Sequence, residues 1–304
     1  MKAVLIHKYG GPEKVVYENV AAIPKVGANQ VLVQIKAVSL NPVDIKLASG
    51  KLRNLSLPWT PGGDFSGIAE AIGPGVFGFK NGDAVFGNSP GGGSYAQYIA
   101  IDTDFIVPMP PRLNFVEAAS VPLAGQTAWQ GILEHGELQA GQKALIHGAA
   151  GGVGSFAVQL ARWKGAEVSA TALPEDADYL RELGAQEIIN YKTTSFESVV
   201  KDMDLVFDLI GGETQARSFT VLKEGGRLIS TVEKPSDEAA AKHKIFAMVM
   251  QMKPTSKRLS QLTELLEEGK IKTCVDRTFA LAQAKEAWRY MINCHTKGKI
   301  VFTV

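Results

Sequence analysis

The sequence predicts an α/β protein in which a turn-rich β region precedes a doubly wound parallel-sheet domain. Three observations predict it. Eleven of the 31 glycines fall between Gly62 and Gly93, among short apolar pairs such as Ile68-Ala69, Ala71-Ile72 and Val85-Phe86, and glycine between short β-like runs marks tight turns. From about Pro122 onward strand-like and helix-like segments alternate, which argues for a parallel sheet with helices packed on both faces. Between one such strand and helix lies a glycine-rich turn, Gly148 to Gly154.

The elements follow in order. Lys2 to His7 and Gln30 to Val38 run apolar or alternate with Val, Ile and Leu, as strands do. Lys143 to His147 is a strand, Gly148 to Gly154 the turn, and Ser155 to Lys164 a helix ended by Gly165. The unit repeats as a strand at Glu167 to Thr171, a helix at Glu175 to Leu183 stopped by Gly184, and strands at Glu187 to Asn190, Leu205 to Asp208 and Arg227 to Thr231. Ser256 to Glu268 places Leu259, Leu262, Leu265 and Leu266 on one helix face. A strand from Thr273 to Ala280, a helix from Ala284 to Asn293 and a last strand from Lys299 to Val304 are expected to return to the N-terminal β region.

Composition narrows the function. The 304 residues carry 32 basic and 31 acidic side chains, a net charge of +1, so the balance disfavours nucleic acid or an anionic membrane surface as partner. Length suggests two domains at roughly 150 residues each. Cys274 and Cys294 are too few for a disulfide framework. With no apolar leader after Met1 and no uncharged stretch near the roughly 18 residues of a membrane span, a soluble, cytoplasmic protein is expected.

The turn His147-Gly148-Ala149-Ala150-Gly151-Gly152-Val153-Gly154 carries the chemistry. A dinucleotide pyrophosphate needs close backbone approach and a helix N-terminus whose N–H groups and dipole favour anions. Gly148, Ala150, Gly151, Gly152, Val153 and Gly154 are its expected contacts, although Ala149 replaces the first glycine of the usual pattern. An NAD site places Asp or Glu about 20 residues on, at the second strand tip. Here Thr171 and Ala172 occupy that tip, so a ribose 2′-phosphate is not repelled. Tyr191 and Lys192, after the next strand, are placed to bind it as hydroxyl and point charge, and NADPH is the expected cofactor. Glu175 and Asp176 nearby weigh the other way, as does the reading of Tyr191 and Lys192 as a solvated strand end.

The glycine loop, the run Leu40-Asn41-Pro42-Val43-Asp44-Ile45-Lys46, the segment Pro61-Gly62-Gly63-Asp64-Phe65-Ser66-Gly67 and the closing Gly298-Lys299-Ile300-Val301 together resemble the medium-chain dehydrogenase/reductase superfamily. Within it the chain is similar to the zinc-independent quinone oxidoreductase and enone (alkenal) reductase branch. The resemblance spans the whole chain in family order. It implies a GroES-like catalytic domain from residues 1–121 with 256–304 and a Rossmann NADP-binding domain from 122–255. It further implies that Thr127 faces the nicotinamide, that Leu209 and Ile210 line the adenosine side, and that Thr231 and Val232 approach the carboxamide.

Zinc-dependent relatives ligate metal with Cys in the segment matching Leu40 to Lys46 and with Gly-His-Glu in the segment matching Gly62 to Asp64. Here those segments offer Asn41, Asp44 and Asp64, and the four-cysteine structural lobe is missing. No metal is expected, and Cys294-His295 has no partner cluster in the sequence. Hydride delivery without a metal suits a quinone or an α,β-unsaturated carbonyl, whose anionic product hydrogen-bond donors stabilise. Asn41 is the candidate to orient substrate or nicotinamide ribose, Lys46 an electrostatic or proton-donating group, and Asp44 a support for Lys46 or the local turn. Ordinary turn chemistry at Asn41-Pro42 and a solvated Lys46 compete with these roles. Lys297 and Lys299 are candidates to close over phosphate or substrate, against plain surface lysines. Reduction of simple ketones or aldehydes, and a noncatalytic NADPH-binding sensor, stand as alternatives. A homodimer is expected through Ile245 to Met250, which as an apolar strand is either a paired sheet edge or buried.

Overall fold

In a computed structural model, which describes residues 1–19, 22–52 and 54–304, the strands in chain order are β1 (Lys2–Ile6), β2 (Val15–Asn19), β3 (Gln30–Leu40), β4 (Asp64–Ile72), β5 (Ala84–Asn88), β6 (Tyr98–Asp102), β7 (Ile106–Pro108), β8 (Lys143–Ile146), β9 (Glu167–Ala172), β10 (Glu187–Asn190), β11 (Met203–Asp208), β12 (Leu222–Ser230), β13 (Phe246–Val249), β14 (Val275–Ala280) and β15 (Lys299–Thr303). The chain divides into two compact units, one of residues 1–123, 253–268 and 273–304, the other of residues 124–252 and 269–272. The fold class is the α/β arrangement that the sequence predicts.

The first unit is built on a sheet ordered β14-β15-β3-β4-β5-β7, with β6 also paired to β3, and on the antiparallel pair β1 and β2. β3 alternates half-buried and buried side chains over most of its length, the period of a strand with one face in the core. Val31, Val33, Ile35, Phe65, Tyr95, Trp288 and Phe302 pack into that core. The chain's tail completes the sheet, because β15 lies antiparallel to β3. The helix Ser256–Glu267 buries the expected leucine face, Leu259, Leu262, Leu265 and Leu266. Thr255 caps its start by accepting from the Arg258 N–H at 3.3 Å.

The second unit holds a parallel sheet ordered β10-β9-β8-β11-β12-β13. In sequence order that is 3-2-1-4-5-6, the doubly wound arrangement, with its switch point between β8 and β11. Such sheets bind ligands outside the carboxyl ends of the strands, at the switch point. β13 forms one edge, with Phe246 48% and Val249 37% exposed. The apolar run around residues 245–250 is therefore an edge strand.

Among the boundaries that differ from expectation, β12 begins at Leu222 rather than Arg227. The helix after β8 begins at Gly152 rather than Ser155. Glycine's low helix propensity hides the first turn in the sequence, but the turn closes because Gly154 lacks a Cβ, which would stand 2.4 Å from the Gly148 carbonyl oxygen.

Candidate active site

Apart from Thr127, the second unit brings its predicted residues to the carboxyl ends of the strands. β8 ends at Ile146, and the chain turns at Gly148, whose φ is +66°. Gly151 caps the helix in extended conformation, and the Ser155 N–H closes onto its carbonyl at 2.9 Å. The first turn of a helix leaves its N–H groups without intrahelical acceptors, and the dipole there favours anions. A Cβ at Gly151 would meet only the Gly148 oxygen, at 3.5 Å, so the backbone face there is open. These residues fit a pyrophosphate: the Gly151 N–H is taken by the Gly148 carbonyl at 3.2 Å, while Gly152, Val153 and Gly154 open the helix and present the N–H groups of its first turn.

Thr171 and Ala172 finish β9 and are buried. Beyond them lies a hollow of about 210 Å³ lined by Ala172, Leu173, Pro174, Ala177, Ile188 and Asn190. None of these is acidic. Tyr191, 53% exposed, and Lys192 follow β10 directly, with the Lys192 N–H held by Asn190 Oδ1 at 3.1 Å. Asp176 is buried at the helix that follows β9, and Glu175 is exposed. Leu209 and Ile210 follow β11, and Thr231 and Val232 follow β12. Ile210 and Val232 expose apolar surface there, 53% and 38%. Ile210 Cδ1 lies against Gly148, where a Cβ would meet it at 3.0 Å. Thr127 is buried on the helix Pro122–Trp129.

Two polar residues behind these loops escaped the sequence reading of roles. His147 is buried, with Nδ1 3.0 Å from Thr171 Oγ1, Nε2 3.0 Å from Ser218 Oγ and its ring edge-on to Phe196. Burial pushes its pKa down to about 4, so the ring is a neutral bridge. Asp208, fully buried, ends β11 and accepts four hydrogen bonds. The available signal was a polar residue closing an otherwise apolar strand, Ile146-His147 and Phe207-Asp208.

In the first unit, the helix Pro42–Ala48 carries the predicted catalytic residues. Asn41 precedes it and is 2% exposed. Its amide nitrogen donates to Asp64 Oδ2 at 2.8 Å, and its amide oxygen accepts from Lys299 Nζ. Asp44 reaches back to accept from the Asn41 N–H at 2.9 Å and takes the Tyr95 hydroxyl at 3.3 Å. It serves the local turn rather than Lys46, which is exposed. Burial first, and then the nearby Asp64 charge, push the Asp44 carboxyl up to about 7 against the pull of the Asn41 N–H. Burial and Asp44 likewise hold the Tyr95 hydroxyl well above its ordinary range.

Asp64 is the centre of this cluster. It accepts from Ser39 Oγ, Asn41 Nδ2, Asn88 Nδ2 and the Leu123 N–H, each at 2.8 Å. Lys299 is not a surface residue closing over phosphate. It is 4% exposed on β15, donates to Leu40 O at 3.0 Å and lies 3.5 Å from Asp64 Oδ2. Burial lowers its pKa, and Asp64 and Asp44 oppose that. The pairing of β15 with β3 sets Ile300 opposite Leu40, which is why the ammonium arrives beside Asn41. This set does not fit zinc: its ligand types are wrong, Asp64's acceptor sites are filled by protein donors, and an ammonium already stands beside it.

Comparison with known proteins adds the family. A family model described as zinc-binding dehydrogenase matches residues 183–302, and one described as alcohol dehydrogenase GroES-like domain matches residues 27–111. The chain is 30% identical to a quinone oxidoreductase of Mus musculus, over 98% of this chain and 96% of that protein. It is 33% identical to a chloroplastic NADPH-dependent alkenal/one oxidoreductase of Arabidopsis thaliana, over 99% of this chain and 79% of that one. A solved structure of Escherichia coli quinone oxidoreductase complexed with NADPH superposes with a TM-score of 0.93 at 25% identity, covering 100% of both chains.

Proposed function

Because the chain belongs to the medium-chain dehydrogenase/reductase superfamily, in its quinone oxidoreductase and enone reductase branch, we propose that it is an NADPH-dependent reductase of quinones or α,β-unsaturated carbonyls that works without a metal. The observation that carries this reading is the strand-turn-helix at the sheet's switch point, with an open backbone at Gly151 and an acid-free hollow beyond Ala172. The relatives' names, one of them NADPH-dependent, support it.

Gly148, Ala150, Gly151, Gly152, Val153 and Gly154 hold the pyrophosphate in this reading, and Thr171, Ala172, Tyr191 and Lys192 the adenosine end with its 2′-phosphate. Leu209, Ile210, Thr127, Thr231 and Val232 complete the cofactor contacts. NADPH, when bound, supplies the hydride. Asn41, fixed by Lys299 and Asp64, keeps one amide hydrogen to orient substrate or ribose. The substrate oxygen that becomes anionic takes its proton from Lys46 or water, and Asp44 holds the turn. The metal-free assignment rests on the donor set around Asp64 and Lys299.

In the same reading residues 1–121 with 256–304 form the substrate domain and 122–255 the NADP-binding domain. The exposed edge strand β13 supports a homodimer, since an uncovered apolar edge favours pairing with a second copy. Sedimentation of the protein and of Val249→Lys tests that. Two free cysteines, and no helix among the described residues long and apolar enough to cross a membrane, are consistent with a cytoplasmic protein.

The function is tested by following NADPH absorbance with a quinone, an enone and a saturated ketone. Consumption with the first two is expected. Turnover of the ketone alone, or NADPH binding with no turnover of any of the three, overturns the proposal.

A further inference from the structure

The two loops that leave β11 and β12 are tied to one buried carboxylate. Asp208 Oδ1 accepts from the Ile210 and Gly211 N–H groups at 3.0 and 2.9 Å. Its Oδ2 accepts from Gln215 Nε2 at 3.0 Å and Ser230 Oγ at 2.8 Å. A carboxylate offers about four lone-pair sites, and all are used. Ser230 Oγ in turn accepts from the Val232 N–H at 3.1 Å, and the Thr231 N–H donates to the Asp208 carbonyl at 3.1 Å. Gln215 Nε2 also reaches the Glu233 carbonyl at 3.1 Å, while the Gly212 N–H donates to the Glu233 carboxylate. Gly211 turns at φ +80°, which brings its N–H back onto Asp208.

Asp208 and Ser230 are fully buried and Gln215 is 5% exposed, so the bracing groups themselves are withdrawn from water. Every partner lies within the chain, and of the acceptors only those of Glu233 belong to an exposed residue. The chain thus spends three buried polar side chains on fixing backbone that carries the exposed Ile210 and Val232. A surface loop that only connects strand to helix needs no such cross-bracing, because its backbone groups are free to bond water.

We propose that Asp208, with Ser230 and Gln215, is the positioning unit of the cofactor site, locking residues 209–212 and 231–233 into one rigid element against which the dinucleotide docks. The proposal rests on the reading that these loops contact NADPH. Asp208 acts through the loops and touches no reacting atom. Pre-ordering lowers the conformational cost of binding, so its loss is read in cofactor affinity rather than in quinone affinity.

The test is a fluorescence titration of the full-length protein with NADPH, comparing wild type with Ser230→Ala and Gln215→Ala, alongside melting temperature and the KM for a quinone. The NADPH Kd is expected to rise about fivefold or more in at least one folded variant, with the quinone KM held. A smaller rise in every folded variant overturns the proposal, as does a rise matched by the same rise in quinone KM. Native-state hydrogen exchange on the wild type keeps the proposal open to refutation even if both variants fail to fold. The amides of Ile210, Gly211, Thr231 and Val232 are expected to open together, with free energies of opening that agree. Separate opening of the two loops overturns the lock. If wild type binds NADPH but reduces no quinone, the proposed function fails while this test still reads out.

Discussion

Lys299 and Asp64 form an ion pair, Nζ to Oδ2 3.5 Å apart, with only 4% and 0% of their side chains exposed. The partners lie on β15 and at the start of β4, and the same ammonium binds Leu40 O and the Asn41 amide oxygen. Removing one member of a buried pair leaves the other uncompensated, at a cost of about 3–5 kcal/mol. Lys299→Met is expected to lower the urea-unfolding free energy by that much. A loss under about 1 kcal/mol contradicts the role given to the pair.

How much of this was legible in the sequence depends on how local each feature is. The turn from His147 to Gly154 is contiguous, so its glycines and flanking elements marked it. The start of the helix at Gly152 was not visible, because only the distance from Gly154 to the Gly148 oxygen shows why glycine is needed there. Lys299 and Asn41 are 258 residues apart and meet through the β15–β3 register, which no local pattern encodes. Asp208 offered one signal, a carboxylate ending an apolar strand, but no role could be read from it, because Ser230 and Gln215 become its partners only when β11 and β12 pair in register.

Asp44 predicts a pH dependence. Its folded pKa of about 7 stands above the ordinary 3.8, so the native state holds a proton that the unfolded chain has released between those values. The folded state binds more protons in that window, and its stability falls as pH rises from about 4 to 7. Relative to Asp44→Asn, the wild type should lose up to about 1.4 kcal/mol per pH unit across it, measured by denaturant unfolding at a series of pH values. A flat difference refutes this.

His147 titrates with the opposite sign. Its folded pKa of about 4 lies below the ordinary 6.5, so between these values the unfolded chain binds the extra proton and stability falls as pH drops. The slopes of His147 and Asp44 oppose one another where the windows overlap, which is why the direct measurement is NMR titration of the His147 ring. A midpoint near 4 is expected. One near 6.5 shows that the ring is not the buried bridge between Thr171 and Ser218.

Gly151 and Gly154 separate binding from folding. Gly151 has φ −73° and ψ 177°, which any residue adopts, and a Cβ there meets only the Gly148 oxygen at 3.5 Å. Gly151→Ala should therefore cost less than about 1 kcal/mol of stability while weakening NADPH at least about tenfold, since the methyl projects onto the backbone face given to the pyrophosphate. Gly154→Ala puts a Cβ 2.4 Å from the Gly148 carbonyl oxygen and 2.6 Å from Ala149 Cα. It should lower stability by about 2 kcal/mol or more. Calorimetry of both variants with and without NADPH distinguishes the two effects, and equal melting losses contradict the assignment.

In the proposed reading, Tyr191 and Lys192 decide cofactor choice. Both follow β10, beside the hollow formed by Ala172, Leu173, Pro174, Ala177, Ile188 and Asn190. A ribose 2′-phosphate carries charge that a 2′-hydroxyl lacks, so a lysine there acts on NADPH and hardly on NADH. Lys192→Ala should weaken NADPH about tenfold, and Tyr191→Phe less, because it removes one hydroxyl donor and no charge. Both side chains lie at the surface, where salt screens over about 8 Å at physiological ionic strength. The NADPH penalty of Lys192→Ala should therefore shrink as salt rises, while NADH binding stays level. Parallel titrations with the two cofactors at low and high salt measure this, and equal losses for both would mean that another group holds the phosphate.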